Sequence, residues 1–260
     1  MKGDKYHKYL KEVEKKIIAA KPIVEAPSYF DLQKYIGTQF PVSGLSMGNL
    51  RSMFKEGYSF SRLTDDEQYH VWKYIWFHSN LHDAMSQAIF FCDGYIKKTD
   101  RKKFWKEIVQ WIKRIDNWAH SDGLTHHYAA LHEAFPDIVY AQLEKWNRSK
   151  NPWERRQSVL SLLDYARFRK IKPPFEKIRV LVENIISDEH YFVQKGIGWC
   201  LRETYLVYPD ETFSFLIDNH NKITGTAFAA AGEKLKPKQK ELLKEMRKKS
   251  RKMKTGSTET

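Results

Sequence analysis

Apolar residues recur at helical spacing along almost the whole chain, and that periodicity restricts the possible folds more than any single motif does. Leu10, Val13, Ile17 and Ile18 form one stripe; Val71, Tyr74 and Ile75, continued by His78, form another. No segment shows the sustained alternation of a half-buried strand. Turn signals interrupt the stripes at Lys21-Pro22, Pro41, Gly57, Ser79-Asn80, Thr99-Asp100, Asn151-Pro152, Pro173-Pro174, Pro209-Asp210 and Pro237. The segments between them are predicted to be helices, mostly of about 10 to 20 residues. Thr64-Asp65-Asp66-Glu67 and Thr99-Asp100 read as N-terminal caps, placing acids at the positive end of a helix dipole.

Pairs of such helices follow one another at roughly 35 to 45 residues, the spacing of HEAT and armadillo arrays, although the likeness between repeats lies in pattern rather than in identical residues. Each pair exposes an apolar face that only a neighbouring pair covers. The expected fold is therefore all-α, a HEAT-like or armadillo-type α-α superhelix in which antiparallel helix pairs stack into a curved solenoid. One domain is expected over residues 1–235. The rest, 236–260, is dense in lysine and arginine and ends in small polar residues. It is expected to fray or be disordered, either as a solubilising tail or as an arm that touches phosphates.

Charge narrows the choice of partner. Lysine and arginine total 45 against 32 acids, a formal net charge of +13, which favours anionic partners and nucleic acid first among them. Cys92 and Cys200 lie in apolar stretches and read as buried thiols of a reducing compartment. The N-terminal residues have no apolar core of a signal peptide, and no apolar run approaches the roughly 20 residues that span a bilayer. A cytoplasmic monomer without membrane contact is expected. His120, His126, His127 and His132 cluster in sequence, but not at the spacing of a compact metal motif, and no phosphate-binding glycine loop occurs. No metal, nucleotide or other cofactor is expected.

Four segments carry a family likeness: SGLSMGNLRSMFKEG at 43–57, WIKRIDNWAHSDGL at 111–124, NPWERRQSVLSLL at 151–163 and HYFVQKGIGWCLRE at 190–203. In their order and separations they resemble the AlkD-type DNA alkylation repair glycosylases. That resemblance implies a DNA repair protein acting on double-stranded DNA, alkylated or distorted, that hydrolyses the N-glycosidic bond of N3- or N7-alkylated purines. It assigns Asp116 as the catalytic carboxylate, Arg156 as a phosphate contact and Trp199 as an aromatic of the cleft, with Arg155 and Lys195 as further DNA-binding residues.

Other readings of the same residues stay open. Asp116 also fits a solvated helix position paired with Lys113, Arg156 an ordinary surface arginine, and Trp199 the core. Read as one continuous helix, Trp111, Ile115, Trp118 and Asp122 share a stripe that Asp116 leaves by about a quarter turn. Family members that carry the activity place a tryptophan one turn before the catalytic aspartate. Before Asp116 that place holds Ile112. A shifted register makes Asp122 the catalytic residue instead. The C-terminal segment NKITGTAFAAAGEKL also departs from the family's basic ending, which suggests a side branch. A noncatalytic protein that binds damaged or distorted DNA is the alternative function, and a HEAT-type scaffold for other proteins is the third. Trp72, Trp76, Trp105 and Trp146 are read as packing residues.

Overall fold

The computed structural model describes residues 4–20 and 30–256, so the turn expected at Lys21-Pro22 and the last four residues of the tail lie outside the described residues. Every regular element among them is helical. The chain divides into two compact units, residues 1–127 and 128–260, and the division falls inside a helix.

The first unit contains α1 (Asp4–Ala19), α2 (Leu32–Ile36), α3 (Met47–Glu56), α4 (Asp65–His78), α5 (His82–Tyr95), α6 (Arg101–Ile108) and the start of α7 (Trp118–Ala134). Short 3-10 turns at Ser59–Arg62 and Val109–Arg114 interrupt them. Local chemistry sets several of these boundaries. Thr64 accepts from the Glu67 amide while the Glu67 carboxylate accepts from the Thr64 amide, a reciprocal cap that starts α4. Asp100 accepts from the amides of Lys102 and Lys103 and starts α6. α5 is buried along nearly its whole length, with α1, α3 and α4 packed against it. The core is aromatic: Trp72, Trp76, Trp111 and Phe60 are each at most 2% exposed, and the rings of Trp76 and Trp111 stack at 5.0 Å. The Trp76 indole N–H finds the Trp111 carbonyl at 3.1 Å, so its polar atom is satisfied inside that core.

The second unit contains the end of α7 and then α8 (Pro136–Asn147), α9 (Pro152–Leu160), α10 (Phe175–Asn184), α11 (Tyr191–Tyr205), α12 (Pro209–Asp218), α13 (Gly225–Ala231) and α14 (Pro237–Gly256). Here the repeat is plain. The pairs α8–α9 and α10–α11 stack on each other, α11 packs between α9 and α13, and α12 packs on α11. Two glycines of α11 allow the close approach. A Cβ at Gly198 would lie 2.5 Å from the Ala227 carbonyl oxygen and 2.7 Å from the Ala230 Cβ, and one at Gly196 would lie 3.1 Å from the Arg156 Cγ. Trp105 and Trp146 are buried with Trp72 and Trp76, as packing residues should be. Cys92 and Cys200 are buried free thiols; burial pushes the Cys200 thiol up to about 12 and raises Cys92 as well.

One expectation fails at the C-terminus. The segment predicted to fray forms α14, because Leu243 and Arg247 at a one-turn spacing bury against the unit and give the charged run a face to dock. No described helix is long and apolar enough to cross a membrane.

Candidate functional site

The predicted continuous helix through 111–124 is broken in the structure. Val109–Arg114 is a 3-10 turn, residues 115–117 are non-helical, and α7 begins afresh at Trp118. The stripe drawn through Trp111, Ile115, Trp118 and Asp122 therefore does not exist. Trp111 and Ile115 belong to the core, whereas Trp118 and Asp122 are half-buried. The break has a cause. Asn117 caps α7 by accepting from the His120 amide at 2.8 Å, and the cap residue needs extended rather than helical backbone.

Asp116 holds that cap. Its carboxylate accepts from Asn117 Nδ2 at 2.7 Å, from Thr38 Oγ1 at 2.9 and 3.0 Å and from the Gln39 amide at 2.7 Å. The Thr38 end of the clamp is fixed by Gly37, which ends α2 in a left-handed conformation at φ 76° and donates to the Gln33 carbonyl. Asp116 is thus neither on a helix nor a solvated partner of Lys113, but a clamp between the end of α2 and the start of α7. Nearby, Arg114 lies over the Phe40 ring at 4.9 Å and donates to the Ser79 carbonyl. Burial lowers its guanidinium below the ordinary value against the pull of Asp116.

A buried polar chain runs inward from this clamp. Asn117 meets His120 Nδ1 at 3.0 Å, and His120 Nε2 lies 3.1 Å from both the His82 carbonyl and Ser86 Oγ. The His82 and His120 rings stack at 4.1 Å, and His82 Nδ1 faces Asp83, whose other oxygen accepts from the Ser43 amide at 2.6 Å. Burial, with His82 beside it, holds His120 far below the usual histidine range. Burial acts to raise the Asp83 carboxyl, but the hydrogen bonds from His82 and Ser43 outweigh it and leave the group below its ordinary value. Of the clustered histidines, His120 and His127 are buried here, His132 meets the Leu162 carbonyl in the second unit, and His126 is exposed.

With α7 starting at Trp118, Trp118 and Asp122 stand one turn apart on one helix, about 40° apart around its axis. The Trp118 indole N–H donates to the Tyr35 carbonyl at 3.0 Å, and the Tyr35 ring meets Trp118 edge-on at 5.6 Å. Phe30 adds a third ring 5.4 Å from Tyr35. Tyr35 is 58% and Phe30 42% exposed, so this is an aromatic surface rather than core. Sequence reasoning missed both residues: α2 is only five residues long and leaves no periodic trace.

In the second unit, Arg156 is only 3% exposed, which overturns its reading as a surface arginine; Nη1 donates to the Phe192 carbonyl at 2.6 Å, so the residue supports α11. Arg155 forms a two-pronged pair with Asp188 and caps the carbonyls of Ser149 and Lys150. Trp199 is half-buried: its indole N–H donates to the Asp164 carbonyl at 2.8 Å, its ring meets Tyr165 at 5.0 Å, and the Arg202 guanidinium lies 5.3 Å over it. Lys195 is exposed on the same helix.

A solved structure, a predicted DNA alkylation repair enzyme from Enterococcus faecalis, is similar in fold, with a TM-score of 0.62 over 79% of this chain and 93% of that one at 14% identity. No curated protein matches. The sequence profile of the family described as DNA alkylation repair enzyme matches residues 20–235, a span that holds the clamp, the aromatic surface and α11. The chain therefore belongs to the DNA alkylation repair enzyme family, and its role lies in DNA repair.

Proposed function

We propose that this protein is a monofunctional DNA glycosylase that releases N3- and N7-alkylated purines from double-stranded DNA, and that Asp122 is its catalytic carboxylate. Alkylation makes the base cationic, so the C1′–N bond breaks with its electron pair leaving on the base, which departs neutral. The deoxyribose is left as an oxocarbenium ion. A carboxylate beside it stabilises that charge and takes the proton of the water that attacks C1′, and the product is an abasic site.

The observation that carries this reading is the pairing of Trp118 with Asp122 one turn later on α7. It supplies the aromatic-then-aspartate spacing that the family resemblance requires and that Ile112 denies to Asp116. The Asp116 carboxylate accepts from Thr38, Gln39 and Asn117, which ties the end of α2 to the start of α7. In this reading Asp116 is a positioning residue that fixes where α7 begins. Trp118, Tyr35 and Phe30 suit a cationic base or a sugar through cation–π and stacking contact. Lys195, exposed, and Trp199, half-buried, are the residues we assign to the DNA backbone and sugar, while buried Arg156 and the Asp188-paired Arg155 hold the helices that carry them. The protein is taken to act as a cytoplasmic monomer.

Release of N7-methylguanine and N3-methyladenine from methylated duplex DNA, followed by chromatography against a reaction without enzyme, tests the proposal. Release is expected from the wild type. Binding of methylated DNA with no release rejects the catalytic reading and leaves a noncatalytic protein that recognises damaged DNA.

A further inference from the structure

α14 lies beyond residue 235, where the family match ends, and it concentrates charge. Pro237–Gly256 holds seven lysines and two arginines against Glu241 and Glu245, a net of +7 in a chain of +13. A run of like charges ordinarily repels itself into disorder. This one is docked. Leu243 is fully buried, Gln239 Oε1 accepts from the Tyr205 hydroxyl at 2.7 Å, and Ser250 Oγ meets His220 Nε2 at 2.9 Å. Arg247 is 8% exposed and donates to the carbonyls of His220 at 2.6 Å and Ile223 at 2.8 Å. These contacts fix the rotation of the helix, and with it the face that remains in water.

That face is cationic. Lys244, Lys248, Arg251 and Lys252 are exposed, share one side of the helix by their spacing and border a pocket of about 370 Å³ together with Gly225 and Phe228. Arg247 also lines it, 4.5 Å over the Phe228 ring, whereas neither glutamate of α14 does. Burial, and after it the neighbouring charge of Arg251, holds the Arg247 guanidinium below its ordinary value. The row from residue 244 to 252 runs about 12 Å along the helix axis. One DNA strand places a phosphate roughly every 3.4 Å along the duplex axis but winds around that axis, so a straight row of this length reaches about two to three phosphates rather than one.

We propose that the Lys244–Lys252 face of α14 is an accessory DNA-binding surface that takes the sugar–phosphate backbone of duplex DNA without reading sequence. The inference does not rest on glycosylase activity.

Equilibrium binding of the full chain to an unmodified, fluorescently labelled duplex, titrated across salt, tests it. The variant K244Q/K248Q/R251Q/K252Q removes the charges and leaves Leu243 and Arg247 in place. It is expected to bind at least tenfold more weakly at low salt. The slope of log affinity against log salt should flatten by about two to three, at roughly 0.9 for each phosphate that the protein no longer neutralises. K244R/K248R/K252R should bind as the wild type does. If the quadruple variant melts early, K248Q/R251Q carries the same test with a smaller loss. Unchanged affinity and slope in the folded variants overturn the proposal. Stabilisation by inorganic phosphate in the wild type alone, with equal DNA affinity in both proteins, also overturns it and makes the pocket a small-anion site. Because unmodified DNA holds no alkylated base, the outcome stands apart from that of the base-release assay.

Discussion

The family-like segment at 111–124 and the one at 190–203 contrast in how they are built. The second is one unbroken helix, α11, packed between two others through glycines that remove a Cβ wherever a neighbour presses. The first is a 3-10 turn, a clamp and a helix start, joined by a polar chain from Asp116 through Asn117 to His120 and onward to His82 and Asp83. Packing positions side chains in the one, and hydrogen bonding positions them in the other. Substitutions in the two regions should therefore fail differently.

The largest difference is expected between the two aspartates of the first segment. Asp122→Asn keeps the side-chain shape and removes the charge that opposes the oxocarbenium ion, and losing one such interaction typically raises the barrier by about 3 kcal/mol, or roughly a hundredfold in rate. Asp116→Asn weakens the clamp instead, so single-turnover base release should fall less while the melting temperature drops more. Rates in the opposite order return the catalytic role to Asp116.

Arg156→Ala is the corresponding change in the packed region. Its removal leaves the Phe192 carbonyl without its 2.6 Å donor and empties space against Gly196, so a loss of about 2 to 3 kcal/mol in stability is expected from urea unfolding. A surface arginine would cost almost nothing. Arg156→Lys keeps the charge but not the fit, so stability should still fall, as a packing role rather than a surface charge requires.

Most of the fold was legible in the sequence because it is periodic. The capped starts of α4 and α6, the helix pairs of the second unit and the tryptophans of the core all follow from spacing, turn residues and cap chemistry. The site was only partly legible. Periodicity projected through residues 109–117 assumed one helix where the Asn117 cap makes two, and that error placed Asp116 on a helix face. The clamp itself joins Thr38 to Asp116 across 78 residues, a contact with no local signature. α14 was misread for a related reason: composition described its charge, while the burial of Leu243 and Arg247 depends on where the neighbouring helices lie.

A smaller effect distinguishes the regions by pH. His120 in the polar chain is neutral in the fold and far below the histidine range, and His132 in the second unit is lowered as well, burial being the first cause for both. A lowered histidine takes up its proton in the unfolded chain first. Stability should therefore be full above about pH 6.5 and fall as pH drops below it, by up to about 1.4 kcal/mol per pH unit for each such group. Melting temperatures measured between pH 7.5 and 5 should show that decline. His120→Gln should lower stability at neutral pH and flatten the decline, whereas a profile parallel to the wild type would remove His120 as a source.

The smallest expected effect tests the clamp at its far end. Thr38 is buried, donates to both oxygens of Asp116 and accepts from the Phe40 amide at 3.1 Å. Thr38→Val keeps the volume but removes the hydroxyl, so Asp116 loses one of its three donor groups and the Phe40 amide its acceptor. A loss of about 1 to 2 kcal/mol is expected, toward the low end for a hydrogen bond to a charged group because the Asp116 carboxylate is only half-buried. Thr38→Ser should restore most of it. If Asp116 acts by fixing the start of α7, Thr38→Val should also slow base release, though less than Asp116→Asn does, and amide exchange near Asn117 and Trp118 should quicken in step. Slower release with no change in that exchange would mean that the clamp does not work through the helix start. Faster exchange with unchanged release would mean that the register of α7 does not depend on it.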